Sequence, residues 1–282
     1  MTPGAQESTV PQREPESGPA WRAHVIPLTD IGMRRGNNED NYLVLPLGGN
    51  MIRQEGGAYV YSIESPGLLL GVADGMGGHQ SGEIASKLCV EHLASELYSR
   101  VSDGAAPVAE PAPILQQAVV AAHRSVFQAS GQHELLHGMG STLTAVLLHD
   151  RHAYVAQVGD SRAYLLRQGE LRALTEDQTV GNILKSSGGV ELDSRYLEML
   201  SQAVGVQEKL DVVMTAEPLQ PGDVVLVCSD GLYKAVPTAD IHQALVQEKD
   251  LNERAEALVA AANHNGGPDN ITVVLAEIQQ DK

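Results

Sequence analysis

Cysteine is nearly absent. Cys89 and Cys228 are the only two in 282 residues, far apart and each inside an apolar pattern, which argues against a disulfide framework or a thiolate zinc site. Basic residues are scarce as well: 19 Lys and Arg stand against 36 Asp and Glu, a formal net charge of -17. Such a surface opposes a phosphate backbone and offers no counterion release, so no nucleic-acid partner is expected. No apolar run approaches the ~20 residues that cross a bilayer, and the N-terminal stretch lacks the basic-then-apolar layout of a secretory leader. A cytoplasmic protein without a membrane partner is therefore expected. A Walker loop is excluded too, since Gly-Lys-Ser/Thr occurs nowhere.

Residues 1–20 are rich in Pro, Ser, Gly, Glu and Gln and cannot bury enough apolar surface to offset their ordering entropy, so they read as a disordered tail. Residues 21–282 read as a single domain, with a linker-like piece at 102–113. Strands are expected over 68–73, 142–148, 153–158, 163–166, 224–228 and 271–276, several of them continuously apolar, as suits strands covered on both faces. Helical periodicity joins Ile84, Leu88, Leu93 and Leu97, then Ile114, Ala118, Ala122 and Val126, then Leu251, Ala255, Leu258 and Ala262. Helices grouped around hairpin-rich strands predict an α+β fold with sheets as the inner layer.

Four aspartates abut these strands: Asp74 before Gly75, Asp160 before Ser161, Asp230 before Gly231, and Asp269 before Asn270. Any one of them satisfies turn chemistry. Together, at rigid strand ends, they can be aimed at a common point. Carboxylates converging in a half-buried cleft repel one another unless cations lie among them, and hard divalent ions such as Mg²⁺ or Mn²⁺ resolve that conflict. A pair of such ions can activate a water and clamp a phosphate.

The stretch GVADGMGGHQSGEIAS, from Gly71 to Ser86, fails as a dinucleotide fingerprint because Gln80 stands where the third glycine belongs. Its glycines instead allow close backbone approach, so the Gly75 carbonyl is itself a candidate metal ligand. In TDIGMRRGNNEDNYLV, Arg35 precedes Glu39 and Asp40. Its guanidinium can fork onto a phosphate while the carboxylates orient water, although an ion pair between Arg35 and Glu39 suits the same spacing.

In chain order, TDIGMRRGNNEDN, GVADGMGGHQSGEIAS, GMGSTLTAVLL, VGDSRAYLLRQGELRALTEDQ, LVCSDGLYKAV and GGPDNITVVLAEI resemble the motifs of the metal-dependent protein phosphatases of type 2C, in the bacterial serine/threonine form. The resemblance implies a four-layer α-β-β-α sandwich of two antiparallel sheets flanked by helices. It implies an enzyme that hydrolyses phosphoserine and phosphothreonine in proteins with a water activated by two Mn²⁺ or Mg²⁺ ions and no covalent intermediate. By the same likeness Asp74 bridges both ions, Gly75 offers its carbonyl to one, and Asp230 and Asp269 ligate the other. Asp160, with Asp230, would form a weaker third site. Glu39 and Asp40 would hold metal-bound waters and Arg35 the substrate phosphate. Phosphorylated proteins, a serine/threonine protein kinase among them, are the implied partners of a monomeric enzyme.

Departures from the pattern are specific. Met76 replaces the histidine that many relatives carry, His79 cannot inherit its role by alignment, Asp177-Gln178-Thr179 replaces Asp-His-Ser, and Tyr233 replaces a frequent Trp. Residues 180–200 correspond to a variable flap. Two other readings compete. HELLH, residues 133–137, matches a zinc-protease motif, but the glycines around it argue against a long helix presenting both histidines. A non-catalytic relative would usually lack one of the metal aspartates, and none is missing.

Overall fold

A computed structural model of the chain describes residues 20–48, 53–55, 57–77, 81–102, 110–132, 134–186, 193–248 and 250–281. The tail expected at 1–20 lies outside them except for Ala20. The described residues form β1 (Trp21–Asp30), β2 (Asp40–Pro46), β3 (Arg53–Glu55), β4 (Ala58–Ser62), β5 (Leu68–Met76), α1 (Ser81–Ser102), α2 (Pro111–Gln132), β6 (Gly140–Ser141), β7 (Leu143–His149), β8 (His152–Val158), β9 (Arg162–Arg167) and β10 (Glu170–Ala173). There follow α3 (Val180–Ser186), α4 (Ser194–Leu197), β11 (Val213–Pro218), β12 (Val224–Cys228), α5 (Asp230–Tyr233), α6 (Thr238–Gln247), α7 (Leu251–His264) and β13 (Ile271–Gln280).

The strands assemble into two antiparallel sheets, one in the order β10-β9-β12-β13-β1-β4-β3 and the other β11-β8-β7-β5-β2, with β6 on β5. Side-chain alternation sorts each central strand between two cores. On β5, Leu68, Leu70 and Val72 face the opposite sheet, whereas Leu69 and Ala73 pack with Leu93 and Leu97 of α1 and Leu115 and Val119 of α2. On β13, Val274, Ala276 and Ile278 enter the inter-sheet core, and Ile271, Val273 and Leu275 meet Leu245, Leu258 and Ala262 from α6 and α7. Three hydrophobic layers between four structural ones make an α-β-β-α sandwich, with each fully buried Leu or Val contributing about 1.5–3 kcal/mol.

The continuously apolar runs are indeed covered on both faces: every residue of β7 and of β12 is buried. The expected linker is shorter than its composition suggests, because α1 continues through Ser102 and α2 begins at Pro111. Proline is tolerated in a helix's first turn, where its missing N–H has no intrahelical partner to lose. The carboxylate of Asp250 caps α7 by accepting from the Asn252 and Glu253 amides.

Both sheets bring functional segments to the same end of the sandwich. Asp40 opens β2 directly opposite Asp74 on β5, and Asp269 and Asn270 lead into β13 beside the end of β12, where Cys228 pairs Val273. Side chains then tie the sheets together: the Ser229 hydroxyl donates to Asp40 Oδ2 at 2.7 Å, and the Glu39 amide donates to Asn270 Oδ1 at 2.8 Å.

Candidate active site

At that end a cleft of about 280 Å³ is lined by Glu39, Asp74, Asp160, Asp230 and Asp269, with Arg35, Gly75, Met76 and Lys234 among their neighbours. All four strand-end aspartates therefore share one wall-to-wall site. Asp74 is not just past a strand but within β5, where its amide donates to Thr142 Oγ1 at 2.9 Å and its carbonyl accepts from the Thr142 amide at 2.8 Å and the Ser141 hydroxyl at 3.0 Å. Asp230 opens the short helix α5. Asp40 lies behind the cleft rather than on its lining, buried against Ser229.

The glycines have a packing reason beyond approach to a ligand. A Cβ on Gly75 would stand 2.0 Å from the Gly82 carbonyl oxygen and 2.8 Å from that of Glu39, and one on Gly82 would stand 2.8 Å from Glu39 Oε2. Backbone meets backbone here, locking the end of β5, the start of α1 and the Glu39 loop into one unit, so hydrogen is the only side chain that fits. Gly231 is placed likewise, since a Cβ on it would fall 2.0 Å from the Asn270 carbonyl oxygen.

Arg35 does not pair with Glu39. Its guanidinium donates to Asp269 Oδ2 at 2.6 Å and is about half exposed, at 48 % of its side-chain surface. The Asp269 hydrogen bond raises its already high pKa, with further support from the charges of Asp269, Glu39 and Asp74 against the opposing effect of burial. A permanently charged fork thus stands at the rim. Lys234 was not singled out by its motif, yet its ammonium donates to Asp230 Oδ2 at 2.6 Å and reaches Asp160 Oδ2 at 3.5 Å. Its position four residues after Asp230 on a helical turn is the one signal that could have revealed it. Asn270 was missed as a clamp: besides accepting from Glu39, its amide donates to the Ile31 and Asn37 carbonyls at 2.9 Å each.

The acids disturb one another. Burial first, then Asp230 and Asp269, push Asp40 up to about 7, against hydrogen bonds from Ser229 and Thr272 that pull it down. Asp74 is raised well above the ordinary carboxylate range by burial and then by Asp40, Asp230, Asp269 and Asp160. Asp160 rises for the same leading reason, with Asp230 adding to it and Lys234 opposing. Asp40 Oδ1 and Asp230 Oδ1 are buried oxygens without a hydrogen-bond partner among the described residues.

Among the described residues no three of these side chains close around a single point; Lys234 stands between Asp160 and Asp230, and Arg35 contacts Asp269. The donor set still fits a hard divalent cation. It is all oxygen, it is strongly anionic, it includes orphaned buried acceptors, and its mutual repulsion is relieved by positive charge.

The substituted positions are placed as follows. Met76 lines the cleft, while His79 lies outside the described residues. The Tyr233 hydroxyl donates to the Asp160 carbonyl at 3.0 Å, with the Arg162 guanidinium 3.5 Å over its ring. Asp177 receives a two-pronged contact from Arg162 at 2.8 and 2.7 Å. Gln178 holds the Asp160 loop, accepting from the Gly159 amide at 2.7 Å and donating its own amide to the Gly159 carbonyl at 2.9 Å. The zinc-protease reading fails on geometry: Glu134–Leu136 is a single 3-10 turn with Leu135 at 91 % exposure, and His133 lies outside the described residues.

An acid-lined cleft with a guanidinium at its rim has the charges that suit divalent cations and a phosphate group. Residues 57–276 match the family model described as protein phosphatase 2C. The serine/threonine phosphatase stp of Listeria innocua is 33% identical over 253 residues, which cover 88% of this chain and 93% of that protein. The S. agalactiae serine/threonine phosphatase structure superposes with a TM-score of 0.77 at 32% identity, covering 90% of this chain and 99% of that one. The catalytic domain of the serine/threonine protein phosphatase PstP, solved in complex with two manganese ions, gives a TM-score of 0.73 at 32% identity, covering 92% of this chain and 99% of that one. This chain belongs to the protein phosphatase 2C family. None of its helices is long and apolar enough to cross a membrane among the described residues.

Proposed function

We propose that the chain is a protein-serine/threonine phosphatase that hydrolyses phosphoserine and phosphothreonine with two Mn²⁺ or Mg²⁺ ions. The observation that carries this reading is the meeting of Glu39, Asp74, Asp160, Asp230 and Asp269 in one cleft beside Arg35. Asp74 and the Gly75 carbonyl would hold one ion, and Asp74 with Asp230 and Asp269 the other. Bound there, the ions supply an activated water and neutralise charge on the phosphoryl group.

The protein's own groups bind and orient. Arg35 leaves Asp269 for the incoming phosphate, and its planar fork fixes two phosphate oxygens so that the third face is open to in-line attack. Glu39, anchored through its amide to Asn270, orients water at the cleft. Asp40, held by Ser229 behind Asp74, would help to hold metal-bound water. No side chain needs to form a covalent bond to phosphorus. Phosphorylated proteins are the substrates, and family analogy supports a serine/threonine kinase among them.

Phosphate release from a phosphothreonine peptide is expected to require Mn²⁺, to stop with EDTA and to return when Mn²⁺ is added back. Release that persists in EDTA would overturn the reading. Arg35→Ala is expected to raise KM about 10–100-fold, the worth of roughly 1.5–3 kcal/mol in charged hydrogen bonds, with a smaller change in kcat. Steady-state kinetics on the same peptide checks this division.

A further inference from the structure

We propose that Lys234 is a built-in cation standing where a third metal ion would otherwise sit, so that this chain works as a two-ion protein. The inference rests on the two-ion reading above. Its observation is a single ammonium placed between two carboxylates from different segments, 2.6 Å from Asp230 Oδ2 and 3.5 Å from Asp160 Oδ2.

Both sides of this contact are held. Lys234 follows the last turn of α5, and its amide donates to the Asp230 carbonyl at 2.9 Å, so its side chain returns over the carboxylate that begins the helix. Asp160 is tethered through its carbonyl to the Tyr233 hydroxyl, and Arg162 lies over the Tyr233 ring while gripping Asp177. The two acids cannot spread apart without breaking that chain of contacts. Both carboxylates are well buried, with side-chain exposures of 14% for Asp230 and 7% for Asp160, so their repulsion is poorly screened.

The two oxygens of Asp230 divide the work. Oδ2 is taken by Lys234, whereas Oδ1 is buried without a partner and faces the ligand role proposed for the tight pair. A third ion would have to displace a tethered ammonium from Oδ2 and share Asp160 with it. A tethered competitor acts at an effective concentration in the millimolar range or above, which weakens a third ion at least about tenfold.

The experiment is calorimetric titration of Mn²⁺ into the metal-stripped full chain, comparing wild type with Lys234→Gln, Lys234→Arg and the double variant Lys234→Gln/Asp160→Asn. Two tight ions are expected in all four. A third is expected in Lys234→Gln alone, at least about tenfold tighter than any in wild type or Lys234→Arg. A third ion bound by wild type as tightly as by Lys234→Gln, or no third ion in Lys234→Gln, overturns the inference while leaving the two-ion reading intact. Wild type that binds no ion tightly removes both. Lys234 is 40% exposed and thermal melts establish that the variants fold; the wild-type titration can overturn the inference by itself.

Discussion

Asp74→Asn is expected to lower kcat about 10³-fold, a loss of roughly 4 kcal/mol in transition-state stabilisation, while making the metal-free protein more stable. The two effects have one cause. Asp74 stands where burial and four other acids oppose its charge, so an amide of the same shape relieves repulsion when no cation is present. The same amide cannot bridge two ions as the carboxylate is proposed to do. The backbone contacts of Asp74 with Thr142 and Ser141 do not involve its side chain, and the strand should therefore keep its place. A rise of about 3 °C in the melting temperature without metal corresponds to roughly 1 kcal/mol for a domain of this size. Saturating Mn²⁺ should raise the melting temperature of wild type and leave the variant nearly unmoved, because only a ligand that binds the native state stabilises it. Lower stability together with unchanged metal response would mean that Asp74 is a structural carboxylate.

The site was legible wherever chemistry and strand ends coincide. Asp74, Asp160, Asp230 and Asp269 each follow or precede an apolar run that is buried in the fold, and the carboxylate beside Gly, Ser or Asn marks an end of that run. The segments that were not foreseen lack that contrast. In β1, WRAHVIPLTD mixes Arg, His, Pro and Thr with its buried residues, and its pairing with both β13 and β4 is a long-range fact. In β11, VMTAEP is largely exposed and owes its strand conformation to its ladder with β8. Arg35 does line the cleft, but the ion pair its spacing suggests is the local one with Glu39; the fold offers Asp269, 234 residues away. Lys234 reads as an ordinary helix-end lysine until Asp160 is brought beside it from another strand. Spacing encodes neighbours along one element, whereas charge complementarity between elements emerges only when the sheets stack.

The stability of the metal-free protein is expected to fall as pH rises from 5 to 8, and Mn²⁺ is expected to reverse the trend. Asp40 carries the argument, because its folded-state pKa is raised from 3.8 to about 7. Below pH 3.8 the group is protonated in both folded and unfolded chains and contributes nothing. Between these values the folded protein holds a proton that the unfolded one releases, so each further pH unit costs at most about 1.4 kcal/mol per such group, and above about 7 the penalty is complete. Asp74 and Asp160, raised in the same direction, steepen the slope. Other ion pairs titrate too, which makes the difference between wild type and Asp40→Asn the informative quantity: the variant should gain on wild type as pH rises, whereas parallel profiles would show that Asp40 is not strained in the fold. Cation binding requires these acids ionised, so saturating Mn²⁺ should stabilise wild type more at pH 8 than at pH 5 and release protons on binding. Both are measured by melting curves across pH and by calorimetry in buffers of different ionisation heat. Charge that weakens the fold without a cation thereby becomes the source of affinity for one.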